Sequence, residues 1–140
     1  MCIRDRSNVA DWYELFDVLV MTSRVEGVSN VVIESQYSGT PVVAPDVGGL
    51  SEAINDKISG YLLQDHSVSN FTHVICNIIS NEKLLNSLSV NAKSYAIDKF
   101  SIETMVKKYL GIYSSPFQKE NINLNRNVDQ KAISSVQAVA

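Results

Sequence analysis

The sequence predicts an α/β chain in which three parallel strands carry helices on their faces. Three observations predict it. Short apolar runs at 17–22, 42–45 and 60–63 lack the alternation of a half-exposed strand, so they read as strands covered on both faces. The segments between and after them repeat apolar residues at helical spacing. Gly and Pro punctuate the joins, as expected where strands alternate with helices.

The elements follow in order. Residues 1–6 (Met1 to Arg6) fit no element and are set aside as an artefact or a frayed terminus. On the first reading the true chain continues upstream and these 140 residues are a fragment. Residues 8–16 read as a short helix, with Val9, Trp12, Tyr13 and Phe16 on one face. The run Asp17–Thr22 is the first strand, and 23–29 is a loop. A helix over Asn30–Ser38 takes Ser29 or Asn30 as its N-cap and Gly39 as its left-handed stop. After Thr40-Pro41 comes the second strand, then the turn Asp46–Gly49 and a helix over 50–55. Gly60–Leu63 is the third strand.

Three helical patterns complete the ordered part. Phe71, Val74, Ile75, Ile78 and Ile79 share one face of a helix starting near Ser69 or Asn70. A longer amphipathic helix after Asn81 carries Leu84, Leu85, Leu88, Ala92, Tyr95 and Ala96. The last, capped by Ser101, aligns Ile102, Met105, Val106, Tyr109, Leu110 and Tyr113. The organisation is therefore a partial Rossmann-like domain over 7–115 and a polar, mostly disordered tail over 116–140. Three strands are few for a doubly wound domain, so one sheet edge is expected to stand open.

Composition narrows the function. The chain has 45% hydrophobic and 19% charged residues, which excludes wholesale disorder. A net charge of −3 and the lack of a Lys/Arg run give no footprint for nucleic acid. Two cysteines, Cys2 and Cys76, cannot make a disulfide scaffold or a Cys-rich zinc site. No apolar stretch reaches the roughly 20 residues that span a bilayer. A cytoplasmic location is the resulting expectation. His66 and His73 read as surface or packing residues, and Cys76 as a structural thiol.

Chemistry is expected in the loops leaving the strand ends, where open parallel sheets bind ligands. Loop 23–29 feeds a helix N-terminus, whose free amides and positive dipole end suit an anion such as phosphate. Glu26 lies in that loop and Glu34 in the helix, with seven residues between them. A carboxylate accepts hydrogen bonds only, so its complement is a vicinal diol, as in ribose or a pyranose. Glu34, flanked by Ile33, is expected to face a cleft or be buried.

These residues resemble a known family. Ser23-Arg24-Val25-Glu26-Gly27, Val31-Val32-Ile33-Glu34, Ser38–Ala44, Gly48-Gly49-Leu50-Ser51-Glu52 and Gly60-Tyr61-Leu62 stand in order and at spacing similar to the C-terminal donor-binding domain of family 4 retaining glycosyltransferases of GT-B fold. The resemblance covers about residues 9–113. It implies a sugar transfer, with retention, from a nucleotide-diphosphate sugar to a carbohydrate or lipid-linked hydroxyl acceptor, in bacterial surface polysaccharide or glycoconjugate synthesis. It implies that Glu26 is catalytic and bonds the donor sugar, that Gly27, Val28 and Ser29 lie beside the sugar, and that Asn30 and Val31 lie beside the diphosphate. Glu34 would take the ribose hydroxyls, Gly48 and Gly49 would keep the second loop small near the donor, and Glu52 would be structural. No cofactor and no metal are implied, and the chain has no Asp-x-Asp pair. Peripheral membrane contact would come through an N-terminal half that lies outside this chain. Two alternatives stay open: a non-catalytic nucleotide-sugar-binding module, and another GT-B enzyme such as a sugar-nucleotide epimerase.

Overall fold

A computed structural model describes residues 8–114. The readings of 1–6 as an artefact and of 116–140 as a tail lie outside the described residues. Elements run α1 (Val9–Tyr13), β1 (Leu19–Val20), α2 (Asn30–Tyr37), β2 (Val42–Pro45), α3 (Leu50–Ala53), β3 (Gly60–Leu63), α4 (Val68–Ser80), α5 (Glu82–Phe100) and α6 (Ile102–Ser114). The sheet is parallel, in the order β1-β2-β3. Leu19 registers with Val42, and Val42 in turn with Gly60.

The central strand shows why its sequence does not alternate. Val42 and Ala44 enter one core with Val32, Leu50, Ala53 and Ile54. Val43 points the other way, into a core with Leu63, Ile78 and Leu88. Each fully buried aliphatic side chain contributes about 1.5–3 kcal/mol relative to exposure. Helix α5 packs along α2 and also touches α4, burying Leu88, Ala92 and Ala96.

Capping follows the side chains that can reach back. The Ser67 hydroxyl accepts from the Asn70 amide, which starts α4 at Val68, one or two residues before the expected start. Asn81 caps α5 through the Leu84 amide, and Ser101 accepts from the Thr104 amide at the start of α6. Gly39 ends α2 at φ +85°, where an L side chain would be strained.

Three expectations change. β1 spans two residues, flanked by bonds from the Leu19 amide to Pro41 (2.9 Å) and from the Met21 amide to Val43 (3.0 Å). It is an edge of the sheet, paired among the described residues with β2 alone, so Val20 is 43% exposed rather than covered. α1 is five residues, shorter than 8–16, and buries only Tyr13. So short a helix is not stable alone; the buried Thr40 hydroxyl holds it by donating to the Tyr13 carbonyl at 2.5 Å. α6 has the expected stripe, yet buries no residue.

Tertiary contacts gather the residues up to Tyr109 into one compact unit, and Leu110 begins a second. Within the second, the Ser114 hydroxyl donates to the Leu110 carbonyl.

Candidate functional site

Loop 23–29 carries the chain from the end of β1 to α2. Ser29 is the N-cap by backbone, extended at φ −80° and ψ 121°, but its side chain makes no cap bond. The first intrahelical bond runs from the Ile33 amide to Ser29 at 3.2 Å. The first-turn amides therefore keep their donors at the loop, and no acidic residue sits in that turn to compete for them. Asn30 and Val31 are both exposed.

Glu26 is half-buried in the loop, whereas Gly27 and Val28 are exposed. The second loop is built against it. The Gly49 amide donates to the Glu26 carbonyl at 3.0 Å. A Cβ on Gly48 would stand 1.8 Å from that same carbonyl oxygen, and one on Gly49 would stand 2.8 Å from the Val28 nitrogen. Gly48 also holds φ +54°. The first and second loops are therefore in direct backbone contact, a few residues before the α2 entrance. The Gly49 amide is engaged by Glu26.

Glu34 departs from expectation: it is exposed. The buried face of α2 is made by Val32, Ser35 and Gln36, and at 100° per residue Glu34 falls on the opposite side from Val32. Ser35 and Gln36 satisfy polar needs of that interface. The Ser35 hydroxyl donates to Thr40 (2.9 Å), and Gln36 Nε2 donates to Ala53 at the end of α3 (2.7 Å). Gln36 Oε1 has no hydrogen-bond partner among the described residues.

Tyr13 was legible only as an apolar helix position, yet it is a neighbour of Glu34. Burial raises its phenol pKa, and the Glu34 charge and hydrogen bonding raise it further. Glu52 is exposed; its carbonyl accepts from Tyr95 (3.2 Å) and Lys99 of α5, which supports a structural place for its backbone. The loop after β3 joins the second loop through a bond from Gln64 to Asp46.

A cleft of about 580 Å³ lies at the ends of β1 and β2 on the α4 side, lined by Val20, Arg24, Pro45, His66 and Phe71 among others. It takes in the start of the first loop but neither carboxylate. His66, His73 and Cys76 are exposed, and Cys76 is a free thiol. Among the described residues no group of three or more His, Cys, Asp or Glu is placed to hold a metal ion. No described helix is long and apolar enough to cross a membrane.

Known proteins resemble this chain in sequence and in fold. The sequence profile of the family described as Glycosyl transferases group 1 matches residues 3–81. A D-inositol 3-phosphate glycosyltransferase of Jonesia denitrificans is 34% identical over 119 residues, which cover 85% of this chain and 28% of that protein. The structure of Anabaena Alr3699/HepE in complex with UDP superposes with a TM-score of 0.72 at 23% identity, over 79% of this chain and 31% of that one, a likeness of fold. A Staphylococcus aureus TarM mutant, in complex with fondaparinux, alpha-GlcNAc-glycerol and UDP, gives a TM-score of 0.67 at 32% identity, over 76% of this chain and 22% of that one. The chain thus spans between a fifth and a third of the length of these proteins.

Proposed function

This chain belongs to the group 1 glycosyl transferases, as part of their C-terminal domain, and on that premise we propose that its parent protein moves a sugar from a nucleotide-diphosphate sugar to a hydroxyl acceptor, with retention. The observation that carries the reading is the uncapped N-terminus of α2 with Glu26 before it and Glu34 in its second turn. One extended ligand with an anionic middle and hydroxyls at both ends matches that order of groups.

The roles divide by chemistry. The Asn30 and Val31 amides and the positive end of α2 take the diphosphate and stabilise the charge that grows on it as the sugar departs. Glu34, exposed on a rigid helix, accepts the ribose hydroxyls. Glu26 accepts sugar hydroxyls, with the backbone of Gly27, Val28 and Ser29 beside it, so it acts where bond breaking is decided. Neutralisation by a helix end and basic groups asks for no metal or other cofactor in this scheme. The TarM complex holds UDP and a glycoside, alpha-GlcNAc-glycerol, which are the two classes of product that the proposed transfer would give. We place the parent protein in the cytoplasm, in surface polysaccharide or glycoconjugate synthesis, with peripheral membrane contact through its N-terminal half. The 140-residue chain by itself is proposed to be inactive, because acceptor binding belongs to that half.

The test is turnover by the full-length protein with a panel of nucleotide-diphosphate sugars. The expected result is nucleoside diphosphate release with one donor, and an anomeric proton coupling in the product that matches the donor's configuration. A bound donor at 100 times its Kd should also stabilise the protein by about 2.7 kcal/mol. Inverted product would overturn retention. Failure of every donor to bind or react would overturn the reading.

A further inference from the structure

We propose that Gly48 and Gly49 are positioning residues for Glu26: the second loop holds the first by its backbone, and so fixes where the Glu26 carboxylate stands. The inference rests on the donor-sugar role given above to Glu26 and adds how that role is held in place. Room for a ligand does not explain these glycines, because the space a Cβ would fill is already taken by protein. At Gly48 the obstacle is the Glu26 carbonyl oxygen at 1.8 Å; at Gly49 it is the Val28 nitrogen at 2.8 Å and the Gly27 carbonyl carbon at 2.9 Å. All are main-chain atoms, so no rotamer change relieves the overlap.

The holding side is the firmer of the two. The Asp46 amide donates to Leu63 of β3 at 2.9 Å, and the Leu50 amide to Val47 at 3.3 Å. Val47 packs on the first core, and Leu50 is fully buried in it. Asp46 also accepts from Gln64. The held side has little of its own: Arg24, Val25, Gly27 and Val28 are exposed. The Gly49 amide bond to the Glu26 carbonyl is thus the fixed point of a loop that is otherwise exposed between the half-buried Ser23 and Ser29 at its ends. A carboxylate carried on such a loop keeps its geometry only while that point holds, and misplacement by about 1 Å costs on the order of a hundredfold in rate.

The test uses Gly49→Ala, Glu26→Gln and the double variant in the full-length protein. Backbone amide shifts of Glu26, Gly27 and Val28 report the loop, and donor kcat and KM at saturating acceptor report its effect. The expected result is that Gly49→Ala moves those amides and lowers kcat by about 10–100-fold, with KM for the donor changing less. In the Glu26→Gln background it should cost under about twofold, because the group it positions is gone. Unmoved amides, an unchanged kcat per folded molecule, or a full additional loss in the double variant would overturn the proposal. A Glu26→Gln enzyme with full activity would instead overturn the functional reading, and this inference with it. Should Gly49→Ala not fold, hydrogen exchange of the Gly49 amide in the native protein decides: protection well above exposed-loop rates supports the fixed point, and exchange at exposed-loop rates refutes it.

Discussion

Gln36 offers a quantitative test of how α2 is tied down. Its side chain is fully buried, Nε2 donates to Ala53 at 2.7 Å, and Oε1 has no partner among the described residues. Methionine has nearly the same length and volume but no polar atoms at those positions. Gln36→Met therefore removes one desolvated acceptor, a relief of about 1–3 kcal/mol. It also takes the donor from the Ala53 carbonyl, a cost of about the same 1–3 kcal/mol. The two terms oppose, so the expected net change is within about 1 kcal/mol. Gln36→Ala removes the same polar pair and leaves a cavity as well, for a loss of about 2–5 kcal/mol. Urea unfolding followed by circular dichroism, at constant m-value, measures both. A loss near 3 kcal/mol for the methionine variant would refute the reasoning, because it would mean that Oε1 is satisfied in the native protein.

Glu34→Gln in the full-length protein should weaken donor binding by about 1.5–3 kcal/mol, the range for a hydrogen bond to a charged group, measured by calorimetry. Glu26→Gln should lower kcat more than it raises KM, as loss of an interaction made mainly in the transition state does; the reverse pattern for the two residues would exchange their roles. Ile78→Ala, in the core under α4, should cost about 2–5 kcal/mol in urea unfolding. Tyr13 supplies a pH dependence. Its folded pKa lies above the ordinary 10.0, so its contribution is fully present below that value and is lost as pH rises through the folded pKa. Glu34→Gln removes part of that elevation, so it should make the loss of stability between neutral and alkaline buffers smaller, read from urea midpoints.

The sheet was readable because its inner strand, β2, is covered on both sides. Val42, Val43 and Ala44 are all fully buried, and an unbroken apolar run is what that environment selects. The same rule overreached at 17–22, because a run of apolar residues does not tell an edge strand from a central one. The α2 boundaries were legible from Gly39 and from the polar residues before Asn30. Its buried face was not, since Ser35 and Gln36 fill core positions that hydrophobic periodicity assigns to apolar residues. Glu34 was expected to be buried or to face a cleft because Val32 and Ile33 flank it, but of those two only Val32 is fully buried. The glycine contacts join Gly48 and Gly49 to a loop some twenty residues upstream, and no local pattern encodes such an approach. α6 shows the opposite gap: its apolar spacing is plain in the sequence, but spacing does not say what covers it.

Helix α2 has a kinetic consequence. It is eight residues long, and its first residue, Asn30, is followed by Val31, Val32 and Ile33, all β-branched and weak helix formers. Such a segment does not hold a helix in water by itself. Its main helical partner is α5, which begins at Glu82 and against which Gly39 also lies, its missing Cβ 3.2 Å from the Ser89 hydroxyl. The contact is non-local, so the loop between must close before the helix is rewarded for forming. On a ribosome delivering about 5–20 residues each second, α2 waits several seconds for α5. On the proposed reading, the amides at its N-terminus become a preorganised anion cradle only when that later helix docks, so formation of the proposed site is timed by residues that take no part in binding.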